Sequence, residues 1–149
     1  MKALALIGLG AAAGAVTLSA AQSLQRVNPP GLSTPQTYSH VVRAGSTVYL
    51  AGQVGANAQG TVVGPGMKEQ TEQVLANLGT ALKSQGLDVS HVAKINIYVT
   101  SIDEFRAPDV AALRAKFFGN NRPASTLVQV VRLADPAYKI EIEAIAVAP

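Results

Sequence analysis

Strict alternation of apolar and polar positions marks Lys94 to Thr100 (KINIYVT) as a β-strand. Ile95, Ile97 and Val99 fall on one face, and Asn96 and Tyr98 on the other. Two β-rich runs come earlier, Tyr38 to Arg43 and Thr47 to Ala51, split by Ala44-Gly45-Ser46 in the manner of a hairpin. Between them and the alternating strand the period changes. Over Met67 to Gln85, Val74, Leu75, Leu78 and Leu82 recur at helical spacing, Glu69, Glu72, Gln73 and Lys83 take the other side, and Gly86 stops the helix. A second helix opens at Pro108, carries Val110, Leu113 and Phe117, and ends at Gly119. Two strands follow, Thr126 to Leu133 and Lys139 to Val147, joined through Ala134-Asp135-Pro136-Ala137. The predicted order is β-β-α-β-α-β-β: an α+β domain over residues 38–149, with a mixed sheet and two helices on one of its faces.

Tyr49, Tyr98, Leu127, Val131, Ile145 and Val147 fall on the parity opposite the helix-facing positions. Two helices cover one face of a sheet, so the second apolar face is expected to pack against other copies of the chain.

The start of the chain follows a different rule. Residues 1–21 hold one charge, Lys2, then an apolar run from Ala3 to Leu18 and the small residues Ser19-Ala20-Ala21. This reads as a signal peptide cut after Ala21, with an uncleaved membrane anchor as the alternative. The expected location is the periplasm after export, or the cytoplasm if the leader is not a functional signal. Residues 22–37 are polar, contain Pro29, Pro30 and Pro35, and read as an extended linker rather than part of the core.

Composition narrows the chemistry. The 149 residues hold 12 Lys and Arg against 9 Asp and Glu, a net charge of +3, with no cluster or stripe of basic residues. That surplus argues against a nucleic-acid surface. There is no Cys, so neither a disulfide nor a lipoprotein anchor is possible. His40 and His91 are the only histidines, without metal-ligand spacing, so no metal or cofactor is expected. Gly64-Pro65-Gly66 lacks the lysine and spacing of a phosphate loop, and Ser101, Ser125 and Thr126 have no histidine partner pattern for a nucleophilic triad. Both histidines are expected to be structural or superficial.

The chemical oddity lies in the last strand, where Glu141 and Glu143 stand two apart between isoleucines and so share a face. Partly buried, such a carboxylate has a raised pKa and can act as a general acid or base. The alternative is a strand-end salt bridge to Arg132 or Lys139.

Tyr38-Ser39-His40, RAGSTVYLAGQVG (43–55), EQTEQVLANLGTAL (69–82), KINIYVTSIDEF (94–105), RPAST (122–126) and KIEIEAIAV (139–147) together resemble the Rid (YjgF) family of enamine/imine deaminases, in order, over essentially all of 38–147. The resemblance implies a chorismate-mutase-like subunit that forms a homotrimer, with small-molecule ligand sites in the clefts between subunits. By position it makes Tyr38 a site tyrosine, Gly52 a site backbone amide and Glu141 the glutamate that positions the attacking water; Ser125, Thr126 and Leu127 stand in the substrate-binding segment. In deaminating members an arginine directly after Pro-Ala grips the substrate carboxylate, a task suited to a planar guanidinium. Here Pro123-Ala124 is followed by Ser125, and Leu127 stands where many active members have a small polar or thiol residue. Loss of such a buried charge-assisted contact costs about 2–5 kcal/mol of binding. Arg122 is three residues upstream, in a loop, and Arg132 has the opposite strand parity. Two functions are therefore expected to compete: an imine or enamine hydrolase with an atypical substrate, and a non-catalytic trimeric module that binds a small metabolite in the same clefts.

Overall fold

Residues 23–149 are described here by a computed structural model. The leader read over residues 1–21 lies outside them. No helix among the described residues is long and apolar enough to cross a membrane.

The elements run β1 (Gln25–Val27), β2 (Val41–Ala44), β3 (Thr47–Val54), α1 (Met67–Lys83), β4 (Val92–Val99), α2 (Ile102–Arg106), α3 (Pro108–Phe118), β5 (Ala124–Gln129) and β6 (Ile140–Val147), with one 3₁₀ turn at Val89–His91. They form one six-stranded mixed sheet in the order β1-β2-β3-β6-β4-β5. β6 is central and antiparallel to both neighbours, β3 and β4. β5 lies parallel to β4 at the edge, as a strand must when it returns through helices α2 and α3. The predicted α+β architecture and both long helices are present. Pro108 occupies the first turn of α3, where its missing N–H costs nothing, and Gly119 ends it with a positive φ of 54°.

Three features depart from the sequence reading. First, the segment read as a linker belongs to the sheet: β1 pairs with β2, and Leu32 is buried in the core. Its prolines conceal three extended residues whose backbone completes an edge, a signal too short for periodicity to register. Second, α2 was not anticipated; Ser101 caps it by accepting from the Glu104 N–H at 3.2 Å. Third, β5 starts two residues earlier than expected and its parity is reversed. Leu127 pairs with Ile97 and packs against the core, while Val128 takes the open face beside Tyr98; Val131 lies beyond the strand, fully exposed. Both faces of TLVQVV are apolar, so alternation alone could not choose between them.

The core lies between the sheet and α1, α2 and α3, and includes Val48, Leu50, Val74, Leu78, Leu82, Ile97, Val99, Ile140 and Ile142. Buried amides lock its margins. Gln70 of α1 donates to the carbonyls of Gly64 (3.2 Å) and Ala137 (2.8 Å) and accepts from the Lys139 N–H (2.8 Å). Asn77, two turns on, donates to the carbonyls of Val54 and Ala56. One helix thus fixes both the loop leaving β3 and the loop entering β6, the two chain segments that flank the acidic pair.

Candidate functional site

Strand β6 turns Ile140, Ile142, Ala144 and Ala146 into the core and Glu141, Glu143 and Ile145 onto the open face. Opposite Glu143, β3 carries a bulge: pairing runs Leu50 with Ala144 and then Gln53 with Ile142, leaving Ala51 and Gly52 against one residue. The Glu141 carboxylate lies directly over Gly52. A Cβ at that position would overlap the carboxylate oxygen Oε1, so only glycine permits the approach.

Burial, and secondarily the neighbouring charge of Glu143, raise the pKa of Glu141 above the ordinary carboxylate range. Glu143 accepts from Asn96 Nδ2 at 2.6 Å and from the Tyr98 hydroxyl at 3.5 Å. The alternative, a salt bridge to Arg132 or Lys139, is not made: Lys139 instead meets Glu104 at 3.4 Å, and Arg132 is exposed. Three phenols lie within electrostatic reach of the acids. Tyr38, Tyr98 and Tyr138 are each raised in pKa, first by burial and then by acidic neighbours, with Glu141 among them in every case. All three therefore remain O–H donors at neutral pH. A cavity of about 300 Å³ adjoins this cluster, walled by Tyr49, Asn96, Glu143 and Lys94. A larger groove of about 690 Å³ runs between α1 and α3, lined by Leu75, Gly79, Leu113 and Phe117, and touches none of these groups.

The structure brings Tyr38, Gly52 and Glu141 together. Ser125, Thr126 and Leu127 lie elsewhere: β5 is separated from β6 by β4, two strand spacings or about 10 Å. Ser125 pairs with Ile95, level with Ala144 and three residues along from Glu141. Thr126, on the open face, accepts from Lys94 Nζ at 3.4 Å. Within one subunit, then, the two halves of the expected site do not meet. Tyr138 is the site residue that the sequence reading omitted. It lies in the connection before β6, outside the strand alternation that exposed the glutamates.

Both histidines are held in structural bonds. His91 closes a capping box with Asp88 around the 3₁₀ turn. His40 is buried, with Nε2 2.8 Å from the Ser33 carbonyl and Nδ1 3.2 Å from Gln53 Nε2. Ser101 serves as the α2 cap. No group of three or more His, Asp or Glu suited to a metal occurs among the described residues.

Comparison with known proteins places these features in a family context. The sequence model described as endoribonuclease L-PSP matches residues 31–148. A human 2-iminobutanoate/2-iminopropanoate deaminase is 34% identical over 119 residues, 79% of this chain and 83% of its own length. The rat protein of the same name is 37% identical over 111 residues, 74% of this chain and 79% of its own length. A crystal structure of a conserved Rid-family protein, YyfA of Yersinia pestis, superposes with a TM-score of 0.78 at 26% identity, covering 85% of this chain and all of that one.

Proposed function

The chain belongs to the endoribonuclease L-PSP family, that of the Rid (YjgF) proteins, and on that premise we propose that it is a deaminase that hydrolyses imines and enamines to carbonyl compounds and ammonia. The observation that carries this reading is the Glu141 carboxylate laid over the Gly52 bulge, with its pKa raised by burial and with phenolic donors beside it. Glu141 takes a proton from water as the water oxygen bonds to the carbon of the protonated imine, whose C=N electron pair moves to nitrogen, which leaves a neutral carbinolamine. The protonated carboxyl then returns that proton to nitrogen; the carbinolamine hydroxyl gives its own proton back to the Glu141 carboxylate as the C=O bond forms, the C–N bond breaks and ammonia leaves. Tyr38, and Tyr138 beside it, orient the substrate through their hydroxyls. RNA cleavage is the weaker reading, because both histidines are committed to structural hydrogen bonds and the chain carries no basic stripe.

In this reading the working form is a homotrimer. Its support is the open face of the sheet, where Tyr49, Val128 and Val147 are 48, 42 and 46% exposed, and the gap within one chain between Glu141 and the β5 segment. A neighbouring copy supplies Ser125 and Thr126 to the cleft that holds Glu141. With Ser125 at the position of the carboxylate-binding arginine, the preferred substrate differs from an ordinary 2-iminoacid.

The test is ammonia release from 2-iminobutanoate and 2-iminopropanoate by the wild-type protein, Glu141→Ala and Ser125→Arg, with the mass in solution measured by sedimentation. Wild-type turnover that vanishes in Glu141→Ala supports the assignment. An inert wild type that gains activity as Ser125→Arg leaves an intact cleft tuned to another ligand, which is the binding-module reading.

A further inference from the structure

His40 lies outside the chemistry just described, yet its ring touches the segment on which that chemistry rests. It is 4% exposed, and Gln53, which follows Gly52 on the bulge, is 2% exposed. Gln53 Nε2 donates at 2.8 Å to the carbonyl of Ala51, the first bulged residue, and its second hydrogen points at His40 Nδ1, 3.2 Å away. Nδ1 must accept there, which leaves Nε2–H to donate to the Ser33 carbonyl at 2.8 Å. The His40 backbone is fixed as well: its N–H donates to Asn28 Oδ1 and its carbonyl accepts from the Ala51 N–H. The edge of the ring also packs against Tyr38, with centroids 5.5 Å apart at 77°. A single buried ring therefore ties the loop at Ser33, the site tyrosine and both flanks of Gly52.

We propose that His40 is a positioning residue: through Gln53 it holds the Ala51-Gly52 bulge in the one shape that lets the Glu141 carboxylate rest on it, and through ring contact it holds Tyr38 at the same mouth. This rests on the deaminase reading for its kinetic consequence but not for its structural one. Loss of the acceptor at Nδ1 leaves the Gln53 amide free to turn, and the bulge relaxes beneath Glu141. A side-chain amide at position 40 carries one acceptor and one donor, as the ring does, and can bridge Gln53 and Ser33 in its place.

The experiment compares the wild-type protein with His40→Ala, His40→Gln and, from the other side of the contact, Gln53→Met. Two readouts are taken: imine hydrolysis, and the backbone amide resonances of Gly52 and Gln53 in a ¹⁵N-labelled sample. His40→Ala and Gln53→Met are expected to lower kcat about 10- to 100-fold, the usual result of a misplaced catalytic group, with KM changed less than about threefold. Both should displace the Gly52 resonance, and His40→Gln should restore the rate and the resonance together. If the wild type has no hydrolase activity, the deaminase reading falls, and the resonances alone decide the clamp. A Gly52 resonance unmoved in folded His40→Ala or Gln53→Met overturns the proposal, as does a folded His40→Gln that restores neither readout. If His40→Ala does not fold, Gln53→Met and His40→Gln carry the same comparison.

Discussion

The two faces of strand β6 are built from alternate residues of one eight-residue segment, yet they do opposite work. Ile140 and Ile142 on the helix side are fully buried and their side chains make no polar contact; Glu141 and Glu143 on the open side are half-buried carboxyl groups, Glu143 accepting from the Tyr98 hydroxyl. The helix side is organised for density, and its few polar groups, Gln70 and Asn77, are spent on fixing loops. The open side tolerates a bulge, a glycine without a side chain and two carboxylates near one another. Each of these costs stability, and each is carried by the packing one residue away. A strand with one dry face can hold a carboxylate-bearing one in place, because a shift in register by one residue would move Ile140 and Ile142 out of the core.

Four substitutions would break or sharpen this contrast. The largest effect is expected from Glu141→Ala, which should lower imine hydrolysis about 10²- to 10⁴-fold while leaving the unfolding midpoint in place or raising it; a large loss of stability would mean that the open face is structural after all. Its neighbour Ile142→Ala should do the reverse, losing about 2–5 kcal/mol in urea unfolding while the molecules that remain folded keep their rate. Gln70→Leu, within the core but polar, should cost about 1–3 kcal/mol, because it strands the carbonyls of Gly64 and Ala137 and the N–H of Lys139. Hydrogen exchange at residues 135–139 should rise with it.

The smallest effect is a pH dependence. Because the folded pKa of Glu141 is raised, the native state holds that proton more tightly than the unfolded chain does, and the group's contribution to stability declines as pH rises from the ordinary carboxylate range through the raised value. Glu141→Gln removes this decline. The variant should therefore gain on wild type as denaturation is moved from pH 4 to pH 8, and a difference that stays flat would place the carboxylate in water. Imine hydrolysis, measured across the same range, should show the matching acid limb, since the base must be ionised to accept a proton from water.

The alternation of KINIYVT and KIEIEAIAV was sufficient to read both faces of β4 and β6, and the Glu141–Glu143 pair with them, because period two is unambiguous where one parity is apolar and the other polar. TLVQVVRL offered no such contrast, and Leu127 was placed on the wrong face. The three residues of β1 are fixed by backbone pairing alone, which leaves no mark on side-chain type. Tyr38, Gly52 and Glu141, each named by the family resemblance, lie near one another in the fold, whereas the spacing of the residues pointed only to the pair Glu141 and Glu143. Tyr138 and the His40–Gln53 contact depend on where two loops fold back, and that is decided by buried amides on α1 and β3 that a pattern of hydrophobic positions cannot register.

The position of β6 in the sheet has a consequence for how the molecule is made. Of the strands described it is synthesised last, yet it lies between β3 and β4. Without residues 140–147, β1-β2-β3 and β4-β5 share no paired strand, and each group has an edge open where β6 lies in the complete sheet. Folding therefore waits for the final insertion, and a nascent chain has no carboxylate beside Gly52 until that step. A chain arrested short of Ile140 would therefore present two open strand edges, those of β3 and β4, rather than a nearly complete sheet.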